Sequence, residues 1–227
     1  MRVLAIDTAL EACSVGVFDT ARAEARVHES LPMQRGHAEA LMPLIARVLD
    51  RARLDFSALD RIAVTIGPGS FTGLRVGIAA ARGIALAAGK PAIGLSTLAA
   101  FAAPFIAADD TLPVVVAIDA RHDHVYLQVF GPGGRTVVAP RVVPLREALR
   151  VSTSGAPRIT GTAANKLVAL WPSGERAPSA VEQRAAPHID WVARLGAAAT
   201  DTKTPPKPLY LRAPDAHPQD AVQLARR

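Results

Sequence analysis

Ala5-Ile6-Asp7 and Ala117-Ile118-Asp119 are the same tripeptide, and at the same offset Val17-Phe18 is matched by Val129-Phe130. In each copy an apolar run, Val3 to Ile6 or Val114 to Ile118, ends in an aspartate. A few turn residues follow, and then an alternating stretch, Ser14 to Phe18 or Val125 to Phe130. The pattern is that of a hairpin with a carboxylate at its mouth, present twice. Two such hairpins facing each other across a cleft can hold a phosphate or a metal ion between them.

Working outward, the first unit is expected to read strand 2–7, strand 13–18, strand 22–29, helix 37–53, strand 61–66, helix 70–88, strand 91–95 and helix 97–107. The second starts alike, with strands near 113–119, 124–130 and 135–139. Helical stretches follow around 144–150, 163–170 and 187–199, with a short strand at 157–161. Three strands and then alternating helices and strands, used twice, predict an α/β protein with a mixed sheet in each of two lobes. We therefore expect an N-terminal lobe over 1–108, a C-terminal lobe over 109–212 and a tail over 213–227. Asp201 to Pro208 carries three prolines among Thr and Lys, the composition of a linker or extended arm. Beyond Arg212 apolar residues are few, which predicts a disordered tail or one weak helix.

A chain of 227 residues with 50% hydrophobic content can bury a substantial core. Arg2 and Asp7 break the apolar start too early for a secretory segment, and Arg75 and Arg82 interrupt the longest apolar helix, so a soluble protein without targeting or membrane segment is expected. The single cysteine, Cys13, excludes an internal disulfide and suits a reducing cytoplasm. In a strand it reads as a small buried hydrophobe. The net charge of +6 is spread over scattered arginines with almost no aromatic residues among them, a solvated basic surface and not a dedicated nucleic-acid groove.

The helix from His37 carries Leu41, Leu44, Ile45, Val48 and Leu49 at the spacing of one apolar face. Pro43 falls inside that pattern, so either the helix begins later or packing holds a kink. His37 heads this helix and reads by itself as a capping or surface residue. After the strand at 62–66, Gly67-Pro68-Gly69-Ser70-Phe71-Thr72-Gly73-Leu74-Arg75 opens the next helix, with Ser70 placed to cap it. Glycine-rich helix starts can bind anions. Yet the stretch lacks the Gly-Lys-Ser/Thr of a P-loop, and Thr72 stands where a dinucleotide fingerprint needs glycine or alanine. Within the helix Gly73, Gly77 and Ala80 share one side with Ile84. Gly73, Gly77 and Gly83 together give up about 3 kcal/mol of helix preference, which close approach of another backbone would offset. Spacing alone allows that neighbour to be this lobe's own sheet or a second subunit.

Ile6-Asp7-Thr8 with Cys13-Ser14-Val15, His37 with Leu41 to Ile45, Gly67 to Gly77, Ile93 to Leu98, Ile118 to Arg121 with Val125-Tyr126, and Leu209-Tyr210-Leu211-Arg212 resemble the bacterial TsaB (YeaZ) family. The likeness runs over nearly the whole chain, is densest in residues 1–130, and is most specific at Gly67 to Arg75. It implies an actin-like, sugar-kinase-like (ASKHA) two-lobed fold. It also implies a non-catalytic subunit in making threonylcarbamoyladenosine beside the anticodon of tRNAs that read codons starting with A. In that pathway a TsaD-type paralogue transfers the threonylcarbamoyl group, and the TsaB-type protein pairs with it. A TsaE-type ATPase joins the pair, tRNA is contacted by the complex, and self-association into a homodimer is a further expectation for the chain alone.

The resemblance assigns the partner interface to the two first-lobe helices, here His37, Leu41, Leu44, Ile45, Val48, Gly73, Gly77, Ala80 and Ile84. Gly77→Leu is then expected to abolish pairing and leave the monomer folded. No pair of the six histidines has the four-residue spacing that TsaD-type enzymes use for their metal, so neither a metal site nor a catalytic residue is expected. His122-Asp123-His124 reads as a polar hairpin turn, where most family members carry Gly-Glu. Asp7, Thr8 and Asp119 match the phosphate and metal positions of actin-like ATPases. The glycines that wrap phosphates in those proteins are missing from Thr8-Ala9-Leu10 and Ala120-Arg121-His122. The cleft is thus expected to be vestigial, its aspartates holding hairpin backbone N–H groups. No cofactor is expected to be required, with weak ATP or ADP binding left open. An ATPase, a kinase or a peptidase acting alone is the competing class, and Cys13 has no evident base to serve the last of these.

Overall fold

The computed structural model describes residues 1–22, 27–152, 155–201 and 204–212. The expected tail, 213–227, and parts of the expected third strand (23–26) and of the arm (202–203) lie outside the described residues.

The chain runs β1 (Arg2–Asp7), β2 (Ala12–Asp19), β3 (Val27–Pro32), α1 (His37–Ala52), β4 (Arg61–Gly67), α2 (Phe71–Ala88), β5 (Ala92–Ser96) and α3 (Thr97–Ala108). It continues with β6 (Val114–Asp119), β7 (His124–Phe130), β8 (Thr136–Pro144), α4 (Leu145–Ser152), β9 (Arg158–Gly161), α5 (Ala164–Ala169), β10 (Ala180–Gln183) and α6 (Ile189–Ala198). The two sheets are ordered β3-β2-β1-β4-β5 and β8-β7-β6-β9-β10, the same topology twice. In each, the hairpin is antiparallel and the next two strands join parallel. The duplicated α/β architecture expected from the repeat is the one observed.

Both faces of each sheet are covered, which is why the central strands are continuous apolar runs. Leu4, Ile6, Val15, Val17, Ile62 and Val64 face α1 and α2, while Val3, Ala5, Phe18 and Ala63 face α6. In the second sheet Val115, Ala117, Leu127 and Ile159 face α4 and α5, and Val114, Val116, Ile118 and Phe130 face α3. The layers therefore run helices, sheet, helices, sheet, helices, with α3 and α6 in contact in the middle.

The two middle helices are exchanged. α6 lies late in the chain but packs on β1, β2 and β4, and α3 packs on β6 and β9 of the other sheet. A cut at 108/109 would part α6 from the sheet it covers. The same side chain anchors each exchanged helix. Arg61, first residue of β4, donates to the carbonyls of Gly196 and Ala199 and to Asp201 at the end of α6. Arg158, first residue of β9, donates to the carbonyls of Phe105, Asp109 and Leu112 at the end of α3. A helix end leaves carbonyls without intrahelical partners, and a guanidinium with five donors can answer several at once.

Some expectations shift. β10 was not foreseen: its four residues carry no apolar run, and its position follows from duplicating β5. The third strand lies at Val27–Pro32 and β8 extends to Pro144. Pro43 sits inside α1 as an exposed residue without ending the helix. α2, with 18 residues, is long and apolar enough to cross a membrane by length and composition. In the fold its inner face, including Leu74, Ile78 and Ala81, is buried on β4 and α1.

Candidate functional site

The first hairpin mouth is closed by the chain itself. The start of α2 lies on the Thr8-Ala9 turn: Ser70 N donates to the Ala9 carbonyl at 2.7 Å, and Thr8 Oγ1 donates to the Gly73 carbonyl at 2.7 Å. Glycine is required for this approach. A Cβ on Gly69 would stand 2.3 Å from the Ala9 oxygen, one on Gly73 2.1 Å from the Thr8 oxygen, and one on Gly77 2.4 Å from Thr8 Oγ1. Ser70 caps α2 as expected, its Oγ accepting from Gly73 N. The glycine-rich stretch is thus a seat for the hairpin turn, and the N–H of Ser70 is engaged within the chain.

Asp7, Thr8 and Ala9 are consequently buried. Asp7 Oδ1 accepts from Ala9 N and from Thr65 Oγ1, while Oδ2 has no partner among the described residues. Burial pushes the Asp7 carboxyl up to about 6, against the opposing pull of Thr65, the Ala9 N–H and His37. An acid with a raised folded pKa favours the folded state most when protonated. This contribution is full below about pH 4 and is lost as pH rises to about 6, amounting to about 3 kcal/mol. In Asp7→Asn the amide oxygen keeps the acceptor role without the charge. The gain in Tm over the parent chain is expected to grow between pH 4 and pH 6 and then level off in thermal melts. A gain independent of pH would contradict the buried charge.

The second hairpin mouth is more open. Asp119 Oδ1 accepts from Arg121 N at 2.8 Å, and Oδ2 pairs with Lys166 Nζ at 2.5 Å from the start of α5. Burial works to raise the Asp119 pKa, but Lys166 and the Arg121 N–H outweigh it and hold the carboxyl below its usual value. Five residues separate the pair Asp119–Val125, against six between Asp7 and Ser14. The shorter turn carries Arg121, His122 and Asp123 at positive φ. His124 Nδ1 bonds the His122 carbonyl at 2.6 Å, so that ring is engaged by its own turn. Among the described residues no three His, Cys, Asp or Glu side chains converge.

The residues expected at a partner interface point inward. His37, Leu41, Leu44, Ile45, Val48, Gly73, Gly77 and Ile84 are buried, and Ala80 is half-buried. His37 is neither cap nor surface residue: its Nε2 lies 3.2 Å from the Leu10 carbonyl and ties α1 to the first hairpin turn. The glycine face of α2 meets this chain's own turn, which corrects the expectation that a second subunit meets it. The outward face is a different set. Met42 (48% exposed), Phe71 (47%) and Leu86 (86%) stand out with Ala79 and Gly83. Among the described residues, Gly83 alone of the three interior glycines of α2 has nothing within 4 Å of an added Cβ.

The comparisons with known proteins fit this construction. A family model described as "TsaD: tRNA N6-adenosine threonylcarbamoyltransferase" matches residues 31–202. The solved structure of YeaZ from Pseudomonas aeruginosa superposes with a TM-score of 0.76 at 31% identity, covering 92% of this chain and 99% of that one. The chain belongs to the TsaB (YeaZ) family. The tRNA threonylcarbamoyladenosine biosynthesis protein TsaB of Escherichia coli is 40% identical over 126 residues, 56% of this chain. That match spans about half, 53%, of the relative's length. A polyphosphate/ATP-glucomannokinase from Arthrobacter, with a TM-score of 0.53 at 14% identity, shares the fold. In this TsaB-family chain one hairpin mouth is sealed by α2 and the other is occupied by the Asp119–Lys166 pair. Sequence reasoning placed both aspartates at hairpin mouths but missed Lys166, Arg61 and Arg158. The recurring Arg-Ile at 61–62 and 158–159 was a usable signal for the last two.

Proposed function

We propose that this chain is a non-catalytic subunit in the formation of N6-threonylcarbamoyladenosine in tRNA, and that it acts by pairing with a TsaD-type transferase through the outward face of α1 and α2. Family membership supports the pathway, as does the name of the E. coli relative. The observation that carries the pairing surface is Gly83. An interior helical glycine costs about 1 kcal/mol relative to alanine, and the described residues offer no contact that requires it. Near it in the helix Leu86 is 86% exposed, and Met42 is exposed on α1. A partner helix lying close over Gly83 would account for the glycine and cover the leucine together. The burial of Asp7 beneath α2 supports the absence of a reaction centre at the first hairpin. A TsaE-type ATPase joins this pair in the proposed assembly, tRNA is held by the complex, and nucleotide is used by the partner subunits.

Two substitutions at one position test the reading in a reconstituted transfer assay with unmodified tRNA and the catalytic partner. Gly83→Ala is expected to raise Tm by about 2–4 °C through its better helix propensity. Gly83→Arg is expected to fold like the parent, to lose pairing in analytical ultracentrifugation, and to lower threonylcarbamoyl transfer at least ten-fold. Full pairing and transfer by Gly83→Arg would move the interface elsewhere. Transfer undiminished when the chain is left out would end the subunit role.

A further inference from the structure

The arm after α6 crosses from one sheet to the other within a few residues. Pro206 is buried beside Gly94 of β5, where a glycine Cβ would lie 3.1 Å from the proline ring. Leu209 N then donates to the Ile66 carbonyl at the end of β4 at 2.7 Å. Gly67 makes room for that contact: its φ is +118°, and a Cβ there would stand 2.7 Å from the Leu209 oxygen. Tyr210 stacks on Phe71 with ring centroids 5.3 Å apart, and Arg75 Nε donates to the Tyr210 hydroxyl. All these anchors belong to the first sheet and its helix.

The next two residues belong to the other side. Leu211 packs on the cluster formed by Leu98, Phe101, Ile118 and Phe130 between α3 and the second sheet. Arg212 Nη1 donates to the Ala120 carbonyl in the second hairpin turn at 2.9 Å. Leu10, from the first hairpin turn, packs on the same cluster as Leu211 and also on the core under α1 and α2. The space between the two hairpins therefore holds side chains of the first turn and of the arm.

We propose that residues 205–212 are a clasp that, together with the packed α3–α6 layer, sets the opening between the two hairpins, and that release of this clasp widens that opening. The alternation is the argument: Leu209 and Tyr210 grip the first lobe, and Leu211 and Arg212 grip the second, with no spare residue between. A segment that merely covered one sheet would not reach the other sheet's hairpin carbonyl. The backbone contact at Gly67 shows that the approach of the arm is built into β4 itself.

Paired spin labels at Asp50→Cys on α1 and Arg146→Cys on α4 report the separation of the lobes, with buried Cys13 left in place. The parent chain and a chain ending at Arg212 are expected to give the same narrow distance distribution. Leu211→Ser with Arg212→Ala, and separately Arg212→Ala alone, are expected to broaden it and shift it to longer distance. Hydrogen exchange at residues 118–125 is expected to rise at least ten-fold, while exchange in β1 and β4 stays as in the parent. An unchanged distribution in either folded variant overturns the clasp. If the double variant melts as a whole, Arg212→Ala decides alone.

Discussion

Gly73→Leu is expected to leave no folded chain. The added Cβ would lie 2.1 Å from the Thr8 carbonyl oxygen, and because the backbone fixes the Cβ position no rotamer could relieve the contact. Separating α2 from the hairpin turn would also break the Thr8 Oγ1 to Gly73 carbonyl bond and the Ser70 N to Ala9 carbonyl bond, leaving buried polar groups unpaired. Overpacking costs about 1–3 kcal/mol even where side chains can shift, and unpaired buried groups cost about 1–3 kcal/mol each. Together these approach the about 5–15 kcal/mol that holds a typical domain folded. Gly77→Leu should fare little better, with Thr8 Oγ1 at 2.4 Å and Val64 behind it. Soluble yield and far-UV circular dichroism of Gly73→Leu beside Gly83→Leu provide the check. Equal folding of the two would contradict the assignment of inner and outer faces.

Arg61→Ala and Arg158→Ala are each expected to lower stability by about 2–4 kcal/mol, because hydrogen bonds to a charged group are worth about 1.5–3 kcal/mol and each buried carbonyl left unpaired costs about 1–3 kcal/mol. Both guanidinium groups reach carbonyls at the end of a helix that has crossed to the sheet in question. Truncation removes charge-assisted bonds and leaves those carbonyls facing a cavity. For a chain of this size the loss corresponds to roughly 10 °C in Tm at about 2–4 °C per kcal/mol. Lysine should rescue only partly at either site, because a single ammonium cannot present the fork that reaches separate carbonyls. Urea denaturation of the four variants tests this, and alanine variants within about 0.5 kcal/mol of the parent would remove the anchoring role.

Much of the architecture was legible because it is written in local patterns. The twin Ala-Ile-Asp segments end twin strands, the spacing of Leu41 to Leu49 marks one buried face of α1, and Ser70 before α2 is a cap. These depend on residues near one another in the chain, where alternation, helical period and capping act directly. The orientation of α2 was not legible in this way. Its sides are both rich in small and apolar residues, so helical period alone does not say which of them turns inward.

The amino-acid sequence by itself thus determined the α/β class, the duplication, the two aspartates at hairpin mouths and the family to which the chain belongs. Only the tertiary structure decided what those features face. Gly73 and Gly77 must be small because of a turn more than sixty residues earlier in the chain and Gly67 because of Leu209, while Arg61 answers a helix end at Gly196 to Ala199. Such contacts join residues with no common period or neighbourhood. They exist only once the sheets have stacked, the middle helices have exchanged and the arm has crossed between them, and it is there that an inner face becomes distinguishable from an outer one.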